Sequence, residues 1–172
     1  VKDSLANIFG GVSLIMDQPF LVNDLIKLDS GEIGVVQKIG MRSTNIKTLA
    51  NEILNVPNGV LANMKVTNYA KPDKKIRIEV EVSVAYGTKP EKVKKVLTKA
   101  TKSMKEIVKK PVPYVRFDKL GEFSMNFKVY AYIRDPEDMF EIKNLLTTKI
   151  YNDMEKNKIK IPYPTRTIHI KR

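Results

Sequence analysis

A strict alternation of apolar and polar residues between positions 76 and 84 constrains the fold of this 172-residue chain more than any other feature. Every second residue there is Ile or Val, and the residues between them are Arg, Glu or Ser. This period of two predicts a strand with one buried face. From Lys89 to Lys110 the apolar residues recur at helical spacing, and Pro111-Val112-Pro113 ends the pattern. The apolar face of this helix must pack on the sheet to which the strand belongs.

The remainder of the second half repeats the same two patterns. A strand pair is predicted around residues 115–120 and 123–133, joined at Gly121, and Asp135-Pro136 opens a second helix. The inward face of that helix is predicted to carry Met139, Ile142, Leu145, Leu146, Ile150 and Met154. The order β-α-β-β-α-β resembles a ferredoxin-like unit. A proline-containing stalk then leads to a terminal strand at residues 165–171, which has no obvious place in this core and invites pairing with another chain.

The first half has a different character. An apolar helix is predicted from Ser4 to Met16 and is broken by Asp17-Gln18-Pro19-Phe20. Five short strands then suggest a small barrel, at residues 25–28, 32–39, 44–49, 53–56 and 65–69. Pro57-Asn58-Gly59 is predicted to be a turn in which glycine adopts a positive φ. The fold class is therefore α+β.

Composition narrows the functional classes. The chain has no cysteine and one histidine, His169, so it offers no thiolate chemistry and no evident metal site. No serine-base pair, phosphate-binding glycine loop or carboxylate pair stands out, so we expect no enzyme activity and no cofactor. No apolar run reaches the roughly 18 to 20 residues of a membrane-spanning helix, and no signal peptide precedes the first strand. As given, the chain is not expected to span a bilayer.

The net charge of +12 lies entirely in the second part of the chain. Residues 1–70 carry 6 Lys and Arg against 6 Asp and Glu, whereas residues 71–172 carry 25 against 13. Such a basic surface is compatible with nucleic acid, with anionic lipid, with a field that concentrates small anions, or with a merely solvated face.

Ordered motifs over nearly the whole chain resemble the MscS family of small-conductance mechanosensitive channels. Each motif alone is weak, but their order and spacing together are specific. They are Ser4-Leu5-Ala6-Asn7-Ile8 through Gly11-Val12, Pro19-Phe20, Asp24-Leu25-Ile26, Gly31 to Gly34, Arg42-Ser43-Thr44, Val56-Pro57-Asn58-Gly59, and Ile161-Pro162-Tyr163-Pro164.

This resemblance implies the cytoplasmic part of a multi-pass channel in the cell membrane, which opens under membrane tension and releases ions and small solutes in hypo-osmotic shock. It implies a homo-oligomer, typically a heptamer, that contacts lipid through helices upstream of residue 1, where the gate also lies. The implied domains are the distal part of the pore-lining helix (1–16), an Sm-like β-barrel (17–70), a ferredoxin-like domain (71–160) and a stalk with a ring strand (161–172).

The resemblance also suggests site residues. Asn7 and Gly59 match positions where the pore helix meets the barrel domain during closure, so they are candidates for a switching contact; the alternative is an ordinary helix residue and a turn glycine. The family often has glycine at a helix kink where this chain has Asp3; either Asp3 marks that kink, or Gly10 and Gly11 supply the helix flexibility. The oligomerisation strand is assigned to Thr165, Thr167, Ile168 and Ile170.

The lysines of the 89–110 segment are the electrostatic candidates, chiefly Lys92, Lys95, Lys99 and Lys102. The resemblance implies that the region after residue 70 forms a perforated cage in the ring. On the inside of this cage the lysines would favour anions, and on its outer wall they would mainly confer solubility. Two other functions stay open: an RNA-binding protein and a purely structural oligomerisation module. The neutral first half, the absence of an aromatic-rich RNA-binding strand, and the position of the lysines on a helix argue against RNA, so no nucleic-acid partner is expected.

Overall fold

The computed structural model describes residues 2–166 and 168–170, and the chain divides into two compact units, Val1–Lys74 and Lys75–Arg172. Each unit has its own hydrophobic core. Within the described ranges, no helix is both long and apolar enough to cross a membrane.

The first unit is a five-stranded antiparallel sheet with two helices. Its order is β4-β3-β2-β1-β5, so β1 joins the strand that ends the unit to the rest of the sheet. The elements are α1 (Lys2–Asp17), β1 (Leu25–Lys27), β2 (Ile33–Ile39), β3 (Ser43–Thr48), β4 (Ile53–Pro57), α2 (Asn58–Asn63) and β5 (Thr67–Asn68). All five predicted strands are present. Leu14 of α1 and Leu61 of α2 pack with sheet residues such as Ile26, Val36 and Ile46 in one core.

The prediction that Pro57-Asn58-Gly59 forms a turn with a positive φ at glycine is wrong. Pro57 ends β4 in an extended conformation (φ −58°, ψ 133°) and serves as the N-cap of α2. Asn58 and Gly59 are the first two residues of that helix. The segment is a strand-to-helix junction because the Asn58 backbone N–H bonds to the Arg42 carbonyl at 2.9 Å and its side chain is buried.

The second unit is a three-stranded antiparallel sheet covered on one face by two helices. Its order is β6-β8-β7, and its core unites the apolar faces of the strands with those of both helices. The elements are β6 (Ile76–Ala85), α3 (Pro90–Lys102), β7 (Tyr114–Leu120), β8 (Ser124–Ile133), a 3-10 turn (Pro136–Asp138) and α4 (Met139–Lys156). The succession β6-α3-β7-β8-α4 gives the first five elements of the predicted ferredoxin-like unit.

The helix predicted over residues 89–110 is shorter, because α3 ends at Lys102. Ser103 closes it: its backbone N–H bonds to the Lys99 and Ala100 carbonyls, and its hydroxyl donates to Ala100. Beyond it, Ile107 forms a β-bridge with Ile133, and Val108 N–H donates to the Tyr132 carbonyl. Ile107 and Val108 therefore pair with the sheet instead of continuing α3. Both side chains are buried, as the sequence predicted.

The inward face of α4 is nearly as predicted. Ile142, Leu146, Ile150 and Met154 are buried in the core, and Met139 packs against it. Leu145 is the error, since it is 41% exposed.

The terminal segment has no regular secondary structure at residues 161–166 and 168–170. Ile168 and Ile170 are largely exposed, and the Thr165 hydroxyl donates to the Tyr163 carbonyl at 3.0 Å. Thr167 lies outside the described residues. The assignment of Thr165, Thr167, Ile168 and Ile170 to an oligomerisation strand stays a prediction.

Candidate functional site

A hydrogen bond joins the two helices of the first unit at the predicted residues. The Gly59 backbone N–H donates to Asn7 Oδ1 at 3.0 Å, and both residues are half-buried. Because Gly59 is the second residue of α2, its N–H has no acceptor inside that helix. Asn7 of α1 therefore satisfies a free donor at the start of α2.

Gly10 and Gly11 lie one turn further along α1, where the helix contacts the same junction. A Cβ added to Gly10 would lie 2.6 Å from both the carbonyl carbon and oxygen of Asn58. A Cβ on Gly11 would lie 2.7 Å from the Met41 carbonyl oxygen. These separations leave no space for a side chain, so the two glycines permit close packing within a continuous helix. Their proposed role in helix flexibility stays a prediction.

Asn58 fixes the junction between β4 and α2 through buried hydrogen bonds. Its side chain is fully buried, its Oδ1 accepts from the Thr44 hydroxyl at 2.9 Å, and its Nδ2 donates to the Gly40 carbonyl at 2.9 Å. Thr44 is equally buried. Because both ends of the amide are satisfied, burial of this polar group is stabilising rather than costly. The buried Thr44–Asn58 pair was not predicted from the sequence.

A groove of about 560 Å³ runs beside the contact, and its lining includes Asn7, Gly10, Pro57 and Val60. The outer face of α1 is apolar and open: Phe9 is 65% exposed, and Leu5, Val12, Ile15 and Met16 are also exposed. The helix is therefore held by its small residues and Leu14, while its large side chains point away from the unit. We call the set Asn7, Gly10, Gly11, Asn58 and Gly59 the α1–α2 contact.

The four lysines named from the sequence all lie on exposed positions of α3. Lys92, Lys95 and Lys99 line a groove between α3 and α4, whereas Lys102 lies beside Ser103 at the helix end. Lys105, Lys109 and Lys110 lie beyond the helix. The placement of the candidates relative to any pore stays a prediction.

The uncovered face of the second sheet carries stacked side chains that the sequence did not reveal. The Tyr114 and Tyr130 rings stack at 4.9 Å, and the Arg77 guanidinium lies 4.9 Å from the centre of Tyr130. Acidic groups share this face: Lys128 bonds to Glu79 at 3.1 Å, and that bond, with the charge of Asp118, raises the pKa of Lys128. The mixture of charges does not resemble the basic stacking platforms that bind single-stranded RNA.

No cluster of three or more His, Cys, Asp or Glu side chains with metal-binding proximity occurs in the part of the chain that the structure describes. His169 is exposed.

Two family models match this chain and together cover most of it. Residues 3–71 match the β-domain of mechanosensitive ion channels, and residues 78–161 match the C-terminal domain of the mechanosensitive ion channel MscS. The first match contains the whole α1–α2 contact. Both models describe domains of one class of protein, the mechanosensitive ion channels. The chain belongs to the MscS family.

Individual relatives agree. The chain is 30% identical over 176 residues to an MscS family protein of Aquifex aeolicus, covering 99% of this chain and 47% of that one. It is 27% identical over 179 residues to the small-conductance mechanosensitive channel MscMJ of Methanocaldococcus jannaschii, covering 100% and 49%. The chain thus spans about half the length of the curated relatives it matches.

Solved structures show the same fold. The crystal structure of Helicobacter pylori MscS in its closed state superposes with a TM-score of 0.89 at 28% identity, over 99% of this chain and 67% of that one. Arabidopsis thaliana MSL1 superposes with a TM-score of 0.73 at 15% identity, over 95% and 60%, which supports the fold alone.

Proposed function

We propose that this chain is the cytoplasmic portion of a mechanosensitive channel in the cell membrane, which opens under tension and releases ions and small solutes. The observation that carries the proposal is the α1–α2 contact. Its hydrogen bond joins Asn7 and Gly59, the two residues assigned to the switch from the sequence motifs, in a fold similar to that of a channel described as closed. At this contact one hydrogen bond and the close backbone approach at Gly10 and Gly11 join the two helices, which also share the core through Leu14 and Leu61.

The contact stabilises the non-conducting arrangement by fixing α1 to the β domain. A hydrogen bond of this kind contributes about 0.5–1.5 kcal/mol. One copy would bias a two-state equilibrium only modestly, but the copies of a ring act on the same transition. Movement of α1 would break the bond and leave the donor at the start of α2 to water. Separation of α1 from α2 is therefore the local event that accompanies opening.

The domain assignment implied by the family resemblance is part of this proposal. Residues 1–16 are the distal part of a pore-lining helix, 17–70 the β-barrel domain, 71–160 the ferredoxin-like domain, and 161–172 the stalk and ring strand. The unit boundary after Lys74 and the start of the second family match at residue 78 support a division near residue 71. The upstream part of the protein supplies the membrane helices and the gate.

The test of this function uses the natural full-length protein that contains the chain, reconstituted into liposomes. Stepwise suction on excised patches is expected to elicit discrete conductance steps that disappear when suction is released. The physical reason is that tension favours the state with the larger area in the membrane, and α1 must separate from α2 in that state. Patches from protein-free liposomes are the control. Full-length protein that gives no suction-dependent current would contradict the channel and favour a structural oligomerisation module.

Assembly is the second part of the proposal. The chain forms a homo-oligomeric ring, a heptamer by its resemblance to the family, in which the terminal segment of each subunit contributes one strand to a shared barrel. The support is the exposure of Ile168 and Ile170 after the proline-containing stalk at residues 161–164. Strands from several subunits would satisfy one another's backbone groups and leave no free edge.

Light scattering on the full-length protein and on a version that ends at Pro164 tests this assembly. The truncated protein is expected to form smaller or less stable oligomers at low concentration, since it lacks the shared strands. Replacing Arg166, Lys171 and Arg172 with Gln retains the segment and controls for the loss of its three positive charges. Equal masses for intact and truncated protein at every concentration would exclude a role for the strand.

A further inference from the structure

A groove of about 530 Å³ lies between α3 and α4 in the second unit, and its walls are basic. Val93 and Leu97 fix the orientation of α3, because both are fully buried in the core. The residues at i, i+3 and i+7 on the outer face of α3 are therefore aligned along the groove. Lys92, Lys95 and Lys99 occupy these positions, and Lys149 and Lys156 face them from α4.

Most of this charge is uncompensated. The one acidic side chain in the groove is Asp153, which already accepts from Lys149 at 2.9 Å. Among the described residues, no carboxylate lies within salt-bridge distance of Lys92, Lys95, Lys99 or Lys156. Four lysines thus line one groove without a carboxylate of the protein within salt-bridge distance. Their mutual repulsion disfavours the bare groove, and an anion would relieve it.

The shape and the chemistry of the groove restrict the ligand. Its volume lies within the range of small-molecule sites, about 300–1,000 Å³. The three lysines of α3 span about 10 Å along the helix, which suits several adjacent charged groups better than a single one. Lysine is a general phosphate ligand that acts as a point charge. The remaining lining residues, Val96, Ser103 and Asn157, offer no aromatic ring on which a base could stack.

We propose that the groove between α3 and α4 binds a small anion with several linked phosphate groups, such as a tripolyphosphate or the triphosphate of a nucleotide. The lysines bind the phosphates, and the groove makes no base-specific contact with a nucleoside attached to them. This inference does not depend on the channel function, because it concerns only residues of the second unit. Its test measures binding to the chain and not conductance, so the two proposals succeed or fail separately.

Isothermal titration of the 172-residue chain at 0.15 M ionic strength tests the site, with sodium tripolyphosphate, ATP, GTP and orthophosphate as probes. Tripolyphosphate is expected to bind at least about tenfold tighter than orthophosphate, because several charge-assisted contacts form together. ATP and GTP are expected to match each other within about threefold, since nothing in the groove distinguishes the bases. In NMR titrations, the shifted amides are expected to lie in α3 and α4.

Matched variants separate the groove from the general field of the protein. Replacing Lys92, Lys95, Lys99 and Lys156 with Gln is expected to weaken tripolyphosphate binding at least about tenfold, whereas replacing them with Arg retains it. The control replaces four exposed lysines outside the groove, Lys89, Lys105, Lys110 and Lys119, with Gln, which removes the same charge. Equal losses in the groove and control variants would overturn the proposal, as would undetectable binding of tripolyphosphate to the unaltered chain or NMR shifts that avoid both helices.

Discussion

Gly10→Ala is expected to weaken the attachment of α1 to the first unit by about 1–3 kcal/mol, the usual cost of overpacking a close contact. Intrinsic helix propensity predicts the opposite sign, since alanine in a helix interior is favoured over glycine by about 1 kcal/mol. The structure supports the weakened attachment. The new Cβ would lie 2.6 Å from the carbonyl carbon and oxygen of Asn58. Asn58 cannot easily move away, because its side-chain amide bonds to Thr44 and Gly40 and its backbone N–H donates to the Arg42 carbonyl.

Hydrogen exchange of the α1 amides in the 172-residue chain measures this effect. The substitution is expected to raise the rate of exchange in α1 by about 5- to 150-fold, which corresponds to 1–3 kcal/mol of local opening, while β8 amides in the other unit stay unchanged. Val12→Ala is the matched control, because it also improves helix propensity but changes a side chain that is 48% exposed. Slower exchange in both variants would show that propensity dominates and that α1 does not pack on α2 through Gly10.

The elements of this fold that were predictable from the sequence are those with one-sided burial. The alternation at residues 76–84 extends along β6. The buried residues of this strand, Ile78, Val80, Val82 and Val84, belong to the core that it shares with α3 and α4. The same reasoning identified α4. By contrast, α1 was predicted from its apolar composition and the break at Pro19, and the five strands of the first unit from short segments between turns. In each case the pattern reflects a local geometry that the surroundings did not override.

The two errors of local conformation arose where a distant partner determined the structure. Ile107 and Val108 fit a helical period, but their pairing with β8 involves residues more than twenty positions away in the sequence. Pro57-Asn58-Gly59 has the composition of a turn, but the buried amide of Asn58 finds its partners at Thr44 and Gly40. Such long-range hydrogen bonds leave no periodic signature.

The α1–α2 contact and the lysine groove were also only partly predictable from the sequence. Asn7 and Gly59 were identifiable from motif resemblance, although no periodicity connects residues 52 positions apart. The lysines of α3 were evident as an excess of charge, but their assembly into a groove depends on α4, which supplies Lys149 and Lys156 about fifty residues later. The buried residues of α3 and α4 fix the orientation of each helix and therefore determine which lysines line the groove.

The α1–α2 hydrogen bond is expected to have its largest consequence in the assembled channel. Asn7→Ala removes the acceptor and leaves the Gly59 N–H to water, at a cost of about 0.5–1.5 kcal/mol per subunit to the state that contains the contact. This corresponds to a factor of about 2 to 12 for each copy, and the copies of a ring multiply. Asn63→Ala is the matched control, since Asn63 donates to the Gly59 carbonyl within α2 and does not contact α1 through that bond.

The most direct test of the account is the fraction of current that survives under sustained tension in patches containing the full-length protein. If the contact stabilises the non-conducting arrangement, open channels of the Asn7→Ala variant will close more slowly and retain at least about twice the surviving current of the unaltered protein. The Asn63→Ala variant will close like the unaltered protein. Closure of Asn7→Ala at the unaltered rate and to the unaltered extent, in protein that still opens with tension, would contradict the assignment of the α1–α2 contact as the switch.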